Sequence, residues 1–99
     1  MGKRKITIRQ SVAVSISQIA WYIEFTGMPK AAEDFSDAVY DFIQKLSEEK
    51  RRFPVCREPS RALLKYKCMT FKKKYTVVFI ETELEITVCE FTSSKLFKW

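Results

Sequence analysis

The first quarter of the chain changes its hydrophobic period once, from alternation to helical spacing. In residues 5–9 (KITIR), Ile6 and Ile8 alternate with polar residues, which predicts a half-buried strand. Apolar residues then recur every three or four positions as far as Gly27, a residue type that often ends a helix. These apolar residues are Val12, Ile16, Ile19 and Ile23. We therefore predict a first helix over residues 11–26, with Ser11 as its N-cap.

The next segment carries the most regular apolar repeat in the chain. Pro29 suits the first turn of a helix, and the apolar positions after it are three and four residues apart. They are Phe35, Ala38, Val39, Phe42, Ile43 and Leu46. On the opposite face, Asp41 is spaced to form an ion pair with Lys45. This pattern predicts a second, longer helix with one buried face.

Three strand-like segments follow an irregular connection over residues 53–59. Apolar and polar residues alternate in residues 62–71 (ALLKYKCMTF) and again in residues 84–91 (LEITVCEF), as in strands with one buried face. Between them, residues 74–81 (KYTVVFIE) contain an unbroken apolar run, which is typical of a strand covered on both faces.

Short turns are predicted between these strands, so they form an antiparallel meander. The first turn contains Lys72 and Lys73, and the second is an acidic tip on which we expect Glu81, Glu83 and Glu85 to be exposed. The predicted fold class is α+β in the order β-α-α-β-β-β. Two N-terminal helices pack on one face of a small, mostly antiparallel sheet.

Composition supports one domain over residues 1–99, because 99 residues with 46% hydrophobic residues can enclose one core. The net charge of +6 is concentrated in one third of the chain. Residues 50–75 contain ten Lys and Arg residues against the single acid Glu58. Such a concentration is expected of a surface that meets nucleic acid or an acidic protein, although solubility alone also requires surface charge.

The three cysteines are an odd number with no C-x-x-C spacing, and the chain has no histidine. The sequence therefore contains no set of zinc ligands, and its cysteine content favours a reducing compartment. No stretch approaches the roughly 18 apolar residues of a membrane span. We expect a cytoplasmic protein with no cofactor, no metal and no membrane partner.

Residues 63–96 contain the segments LLKYK and KKYTVVFIETELEITVCEFTSSKL, preceded by a basic loop. Together with the order of elements, they resemble the RelE/ParE superfamily of toxins, and the likeness covers residues 5–95. The resemblance implies the toxin component of a type II toxin–antitoxin system, of the kind also described as plasmid stabilisation proteins. It further implies a cognate antitoxin that neutralises the toxin, and a target that is either DNA gyrase or the ribosome with its mRNA.

One position departs from the pattern of this superfamily. The arginine that usually follows the tyrosine of the third strand, and that contacts phosphate in the RNA-cleaving members, falls on Thr76. This departure argues against ribonuclease activity, although basic side chains alone can stabilise a phosphorane and move protons without histidine.

The candidate residues follow from this chemistry. Lys67, Arg61 and Lys65 are the candidates for catalysis, with Lys67 first because the resemblance places it where relatives carry a basic residue. Lys65 lies two positions from it and so on the same face of the predicted strand. Candidates for binding nucleic acid or another target are Arg51, Arg52, Arg57, Lys72, Lys74 and Lys95.

Three functions of different class remain open at this point. The first is an inhibitor that blocks a protein such as gyrase, and the second is a ribosome-dependent mRNA endoribonuclease. The third is a relative without toxicity that only binds RNA. The lysine run 72–74 is interpreted as the edge of a basic patch shared with Lys65 and Lys67, and Tyr75 as a core residue more than a base-stacking one.

Overall fold

The structure is a computed structural model that describes residues 4–48, 53–57 and 59–96. Its strands are β1 (Lys5–Ile8), β2 (Lys67–Phe71), β3 (Tyr75–Glu81) and β4 (Glu85–Ser93). Its α-helices are α1 (Gln10–Phe25), α2 (Pro29–Glu48) and the short α3 (Pro59–Leu63), and a single 3-10 turn (Ser94–Leu96) follows β4. The predicted α+β class with two N-terminal helices and a mostly antiparallel sheet is confirmed.

The four strands form one sheet in the order β1-β4-β3-β2. Strands β2, β3 and β4 make the expected antiparallel meander, and β1 lies parallel to β4 at the edge. Parallel pairing needs a long crossover, and here α1, α2 and the meander together supply it. None of the described helices is both long enough and apolar enough to cross a membrane.

Helix α1 begins one residue earlier than the pattern predicts. Arg9 is the N-cap residue in an extended conformation, with no side-chain hydrogen bond to the helix, so the prediction of Ser11 as N-cap is wrong. The other end agrees with the prediction, since Gly27 has a φ of 92° and its N–H donates to the carbonyl oxygen of Glu24. On α2, the expected pair between Lys45 and Asp41 is present at 3.3 Å.

The main core lies between the helices and one face of the sheet. Val12 and Ile16 of α1 and Val39 and Ile43 of α2 are almost completely buried there against the sheet. The sheet contributes Phe71, Val77, Phe79, Ile86, Val88 and Phe91. We call this the helix face of the sheet, and the opposite one the outer face.

A bulge in β4 decides which residues reach each face. Val78 pairs with Glu90 whereas the next residue, Phe79, pairs with Val88, so Cys89 is an extra residue in β4. Side chains along β4 alternate between the two faces of the sheet, and this alternation shifts by one residue at Cys89. Phe91 joins the helix face, and Glu90 joins the outer face.

The outer face is partly covered by the segment between α2 and β2. Cys56 and Cys68 form a disulfide there, and they pack with Val78 and Tyr66 in a second, smaller core. This explains why β3 is apolar on both faces, as its sequence predicts. The bridge itself was not predicted, because a separation of 12 residues matches no cysteine motif. A structural disulfide also differs from what a reducing compartment favours.

Strand β2 is shorter than the alternation in residues 62–71 predicts. Residues Pro59–Leu63 form α3, and a helix end of Schellman type follows, in which the N–H groups of Tyr66 and Lys65 donate to the carbonyls of Arg61 and Ala62. Lys65 adopts a φ of 60° in this helix end. The prediction that Lys65 lies on β2 beside Lys67 is therefore wrong.

A nearly buried ion pair ties the start of β1 to the end of β3. Arg4 and Glu81 are 2.6 Å apart, with side chains only 14% and 7% exposed, and the second oxygen of Glu81 accepts a bond from the N–H of Phe53. Arg4 also donates to the carbonyl of Leu46 at the end of α2. Glu81 is thus not an exposed residue of the acidic tip, contrary to the sequence prediction.

We expect Glu81→Gln to lower the free energy of unfolding by about 3 kcal/mol, because Arg4 would keep a nearly buried charge without its counter-ion. Urea denaturation followed by circular dichroism measures the change. The control is Asp34→Asn, which breaks the exposed pair with Lys30 and should cost at most a few tenths of a kcal/mol. Equal effects of the two substitutions would contradict the structural role of the Arg4–Glu81 pair.

Reducing the Cys56–Cys68 bridge should lower stability by about 3 kcal/mol, since the bridge closes a short loop in the unfolded chain. The test compares urea midpoints with and without dithiothreitol. In the Cys56→Ser/Cys68→Ser variant the midpoint should not respond to dithiothreitol, because the remaining Cys89 has no partner within the chain to bond with. A wild-type midpoint that dithiothreitol leaves unchanged would mean that the bridge does not form in solution.

Candidate anion-binding surface

The hairpin between β2 and β3 presents lysines in a turn that does not favour them. Lys72 and Lys73 have φ angles of 53° and 63°, and the N–H of Lys74 donates to the carbonyl of Phe71 at 3.3 Å. Positive φ at both central residues is the geometry of a type I′ turn, in which Asn and Gly are the usual residues. All three lysines of this turn are exposed.

A row of threonines crosses the outer face of the sheet next to this hairpin. The register pairs Thr70 with Thr76 and Thr76 with Thr92, so the three lie side by side on three strands. Thr76 is fully buried, and its hydroxyl lies 2.9 Å from the hydroxyl of Ser94, either of which can donate. Hydroxyls of Ser and Thr are common partners of phosphate oxygens.

The chain after β4 returns to the hairpin and completes this surface. The N–H of Ser94 donates to the carbonyl of Lys74 at 2.9 Å, which holds the 3-10 turn beside the lysines. Lys95 follows directly and is exposed. We define the lysine end of the sheet as Lys72, Lys73, Lys74 and Lys95 together with the threonine row. It unites three of the residues predicted to bind a target, Lys72, Lys74 and Lys95.

Arg61 lies outside this surface and forms an ion pair with a carboxylate. Its Nε and Nη2 donate to the two oxygens of Glu90 at 2.9 and 2.6 Å, a bidentate pair that links α3 to β4. The two side chains are 25% and 36% exposed. This arrangement indicates a structural role for Arg61, in contrast to the predicted catalytic one.

The two lysines predicted to share the catalysis are separated from each other and from the lysine end. Lys67 pairs with Phe79, which puts it on the side of the sheet that the helices cover, and its backbone also forms a bridge with Val55. Lys65 is exposed in the turn after α3. The five residues of β2 separate Lys67 from the hairpin by roughly 17 Å along the strand. Lys65, Lys67 and the lysine run therefore do not form the single basic patch that the sequence predicts.

The remaining candidates lie elsewhere or outside the described residues. Arg57 is exposed beside the disulfide, and Arg51 and Arg52 fall outside the part of the chain that the structure describes. Tyr75 stacks on Phe91 with ring centroids 5.1 Å apart and contacts Phe35 edge-on. Its interpretation as a core residue is therefore confirmed.

The described residues support neither catalysis by a cysteine thiol nor binding of a metal ion by grouped side chains. Burial raises the pKa of the Cys89 thiol, so this thiol stays protonated at neutral pH and is a poor nucleophile. Within residues 4–48, 53–57 and 59–96, no three His, Cys, Asp or Glu side chains are grouped as metal ligands would be.

The arrangement is suited to holding an anion more than to transferring protons. Exposed ammonium groups on a turn provide charge, and the exposed Thr70 and half-buried Thr92 beside them provide hydroxyl groups. The three side chains predicted for catalysis, by contrast, have three different surroundings. Sequence reasoning missed the threonine row because a two-residue turn at 72–73 would align Thr70 with Tyr75, one position from the observed partner.

Comparisons with known proteins do not identify a family. A scan of the chain against protein-family models gives no match, and a search of curated proteins finds no significant relative.

We expect Lys73→Gly to raise the free energy of unfolding by about 1 kcal/mol, because glycine adopts the left-handed conformation without the steric cost that lysine bears. Lys65→Gly should have a similar effect at the end of α3. The matched control is Lys74→Gly, which should lower stability by about 0.5 kcal/mol because Lys74 does not have a positive φ and glycine adds freedom to the unfolded chain. Urea denaturation distinguishes the two directions.

Proposed function

We propose that this chain is the toxin component of a type II toxin–antitoxin system and acts by binding a cytoplasmic target, such as DNA gyrase. The resemblance of residues 5–95 to the RelE/ParE superfamily supports the class of protein. The exposed lysines in left-handed conformations support the mode of action, and they are the observation on which the proposal rests.

The three non-glycine residues with positive φ in the described part of the chain are all lysines, namely Lys65, Lys72 and Lys73. Each costs on the order of 1 kcal/mol compared with glycine at the same position. Strained conformations of this kind concentrate at functional sites, because a residue that serves stability alone would be replaced by a better one. A positive charge at an exposed turn is useful for attracting an anionic partner.

A binding mode also agrees with what surrounds the predicted catalytic residues. The positive charge of Arg61 is engaged by Glu90, and Thr76 stands where the RNA-cleaving relatives carry arginine. Gyrase inhibition requires contact with a protein surface and no proton transfer. These observations favour inhibition over mRNA cleavage by Lys67, Arg61 and Lys65.

The antitoxin that this function requires should be acidic and should cover the lysine end. Charge complementarity favours such a partner over others and speeds its association. An antitoxin that is partly disordered could wrap around the exposed hairpin and order on binding. In a reducing cytoplasm Cys56 and Cys68 would be thiols, and the cover of the outer face would rest on the packing with Val78 and on the Arg61–Glu90 pair.

The second candidate is a relative without toxicity that binds RNA, and the threonine row favours it. Thr70 is exposed and Thr92 half-buried, two strands apart and so about 10 Å from each other, and with the lysines beside them their hydroxyls can contact phosphate oxygens of a nucleic acid backbone. Such binding would weaken steeply with salt, because each phosphate contact releases a counter-ion.

The test is to induce the wild-type chain in bacterial cells, and to record growth together with new RNA 5′ ends within minutes. We expect growth arrest with intact mRNA, and we expect Lys72→Glu/Lys73→Glu to abolish the arrest. The matched control is Lys30→Glu/Lys45→Glu, which makes the same change of charge on the exposed side of α2 and should leave the arrest intact. Supercoiling by purified gyrase gives the corresponding assay in vitro.

Other results would decide against the proposal in distinct ways. Cuts within translated frames that disappear in Lys67→Ala would establish a ribosome-dependent endoribonuclease. Absence of growth arrest, together with RNA binding that falls steeply between low and moderate salt, would establish the second candidate.

A further inference from the structure

Helix α1 is apolar on two sides, and only one of them faces the core. Val12 and Ile16 are buried against the sheet and α2. On the other side, Val14, Trp21 and Phe25 are 45%, 65% and 77% exposed, and Trp21 and Phe25 stack with ring centroids 5.3 Å apart. We call this exposed side the α1 outer face. It forms a shallow groove lined by Gln10, Ala13, Val14, Ser17, Trp21 and Tyr22, among others.

The α1 outer face differs from an ordinary solvent-facing helix side because it has no charge. Between Arg9 and Glu24 the sequence contains no charged residue. Helix α2 shows the usual arrangement, with exposed ion pairs such as Lys45 with Asp41 on its outer side. In a protein of net charge +6, an uncharged face is where a second positively charged molecule can approach with least repulsion.

The exposed apolar area is large enough for a weak but specific interface. Trp21, Tyr22 and Phe25 are 65%, 59% and 77% exposed, and aromatic side chains of this kind bury about 150–250 Å² each. They alone therefore present about 400 Å² of surface, and Val14 and Met28 enlarge it. A standard interface takes about 800 Å² from each partner, so this patch would supply at least half of one.

The order of residues on this face makes it complementary to itself. Small side chains occupy the N-terminal half, Ala13 and Val14, and bulky ones occupy the C-terminal half, Trp21 and Tyr22. When two such helices lie antiparallel about an axis between Ser17 and Gln18, Val14 faces Trp21 of the second copy, and Ala13 faces its Tyr22. Each bulky ring then meets a small residue, and the two helix dipoles oppose each other favourably.

We propose that two copies of this chain associate through the α1 outer face, with the helices antiparallel and Ser17 next to the two-fold axis. The buried area is modest, so the dissociation constant should be in the micromolar range, about 1–100 µM. This dimer is independent of the proposed toxin function, since the lysine end of the sheet is not part of the interface.

Sedimentation equilibrium of the full chain from about 1 µM to about 1 mM gives the first test. We expect a monomer–dimer equilibrium in the wild type, and a monomer at all of these concentrations for Trp21→Lys. The matched control is Leu84→Lys, because Leu84 is 82% exposed on the β3–β4 turn, outside the proposed interface. This control should dimerise as the wild type does. A circular dichroism spectrum confirms that each variant is folded.

Cross-linking tests the antiparallel arrangement. Ser17→Cys should give a disulfide-linked dimer under mild oxidation, because the two Ser17 positions meet near the axis. Ser11→Cys on the same helix should not, since its two copies would lie about 20 Å apart along the helices. The free Cys89 of the chain is buried, and the unsubstituted chain measures its background.

The proposal fails if the wild type is monomeric throughout, or if Trp21→Lys dimerises as well as Leu84→Lys does. A cross-link through Ser11→Cys with none through Ser17→Cys would overturn the antiparallel dimer. None of these results depends on toxicity, so they are distinct from the failure of the proposed function.

Discussion

One extra residue in β4 determines how the sheet is covered on both sides. Because Cys89 interrupts the alternation, Phe91 enters the main core, where it stacks on Tyr75, and Glu90 turns to the outer face, where it holds Arg61. Without the bulge, Glu90 would follow Val88 onto the helix face, and a carboxylate would replace an aromatic ring in the core. The Arg61–Glu90 pair fixes the position of α3, and α3 lies in the sequence between residues that pack on Val78. Both features therefore depend on the register of β4, a strand distant from α3 in the sequence.

The fold class could be predicted from the sequence because its signals are local. These signals are the apolar repeats of α1 and α2, Gly27 at the end of α1, and the unbroken apolar run of β3. Each can be recognised within one segment of the sequence, without knowing which other segment packs against it. The end of β2 and the start of α3 could not be predicted in this way. Residues 62–66 alternate like a strand, yet Leu63 and Leu64 are 84% and 61% exposed, so the alternation does not report burial there.

The candidate site was predictable in composition but not in arrangement. The concentration of lysines around the β2–β3 hairpin is visible in the sequence, and their exposure follows from the turn. Which cations lie together depends on long-range pairings, such as Arg61 with Glu90 and Ser94 with Lys74, which local periodicity does not contain. The Cys56–Cys68 bridge and the burial of Glu81 by Arg4 are further examples, because each depends on residues distant in the chain.

The parallel pair of β1 and β4 has a consequence for the synthesis of the protein. Ile6 pairs with Ile86, so β1 finds its partner strand only after β4 has emerged from the ribosome. Contacts so distant in sequence form late and slow the folding of a domain. Until then Ile6 and Ile8 have no strand beside them, and the Arg4–Glu81 pair cannot form. The edge of the sheet at β1 therefore reaches its native structure only after β4 has been synthesised.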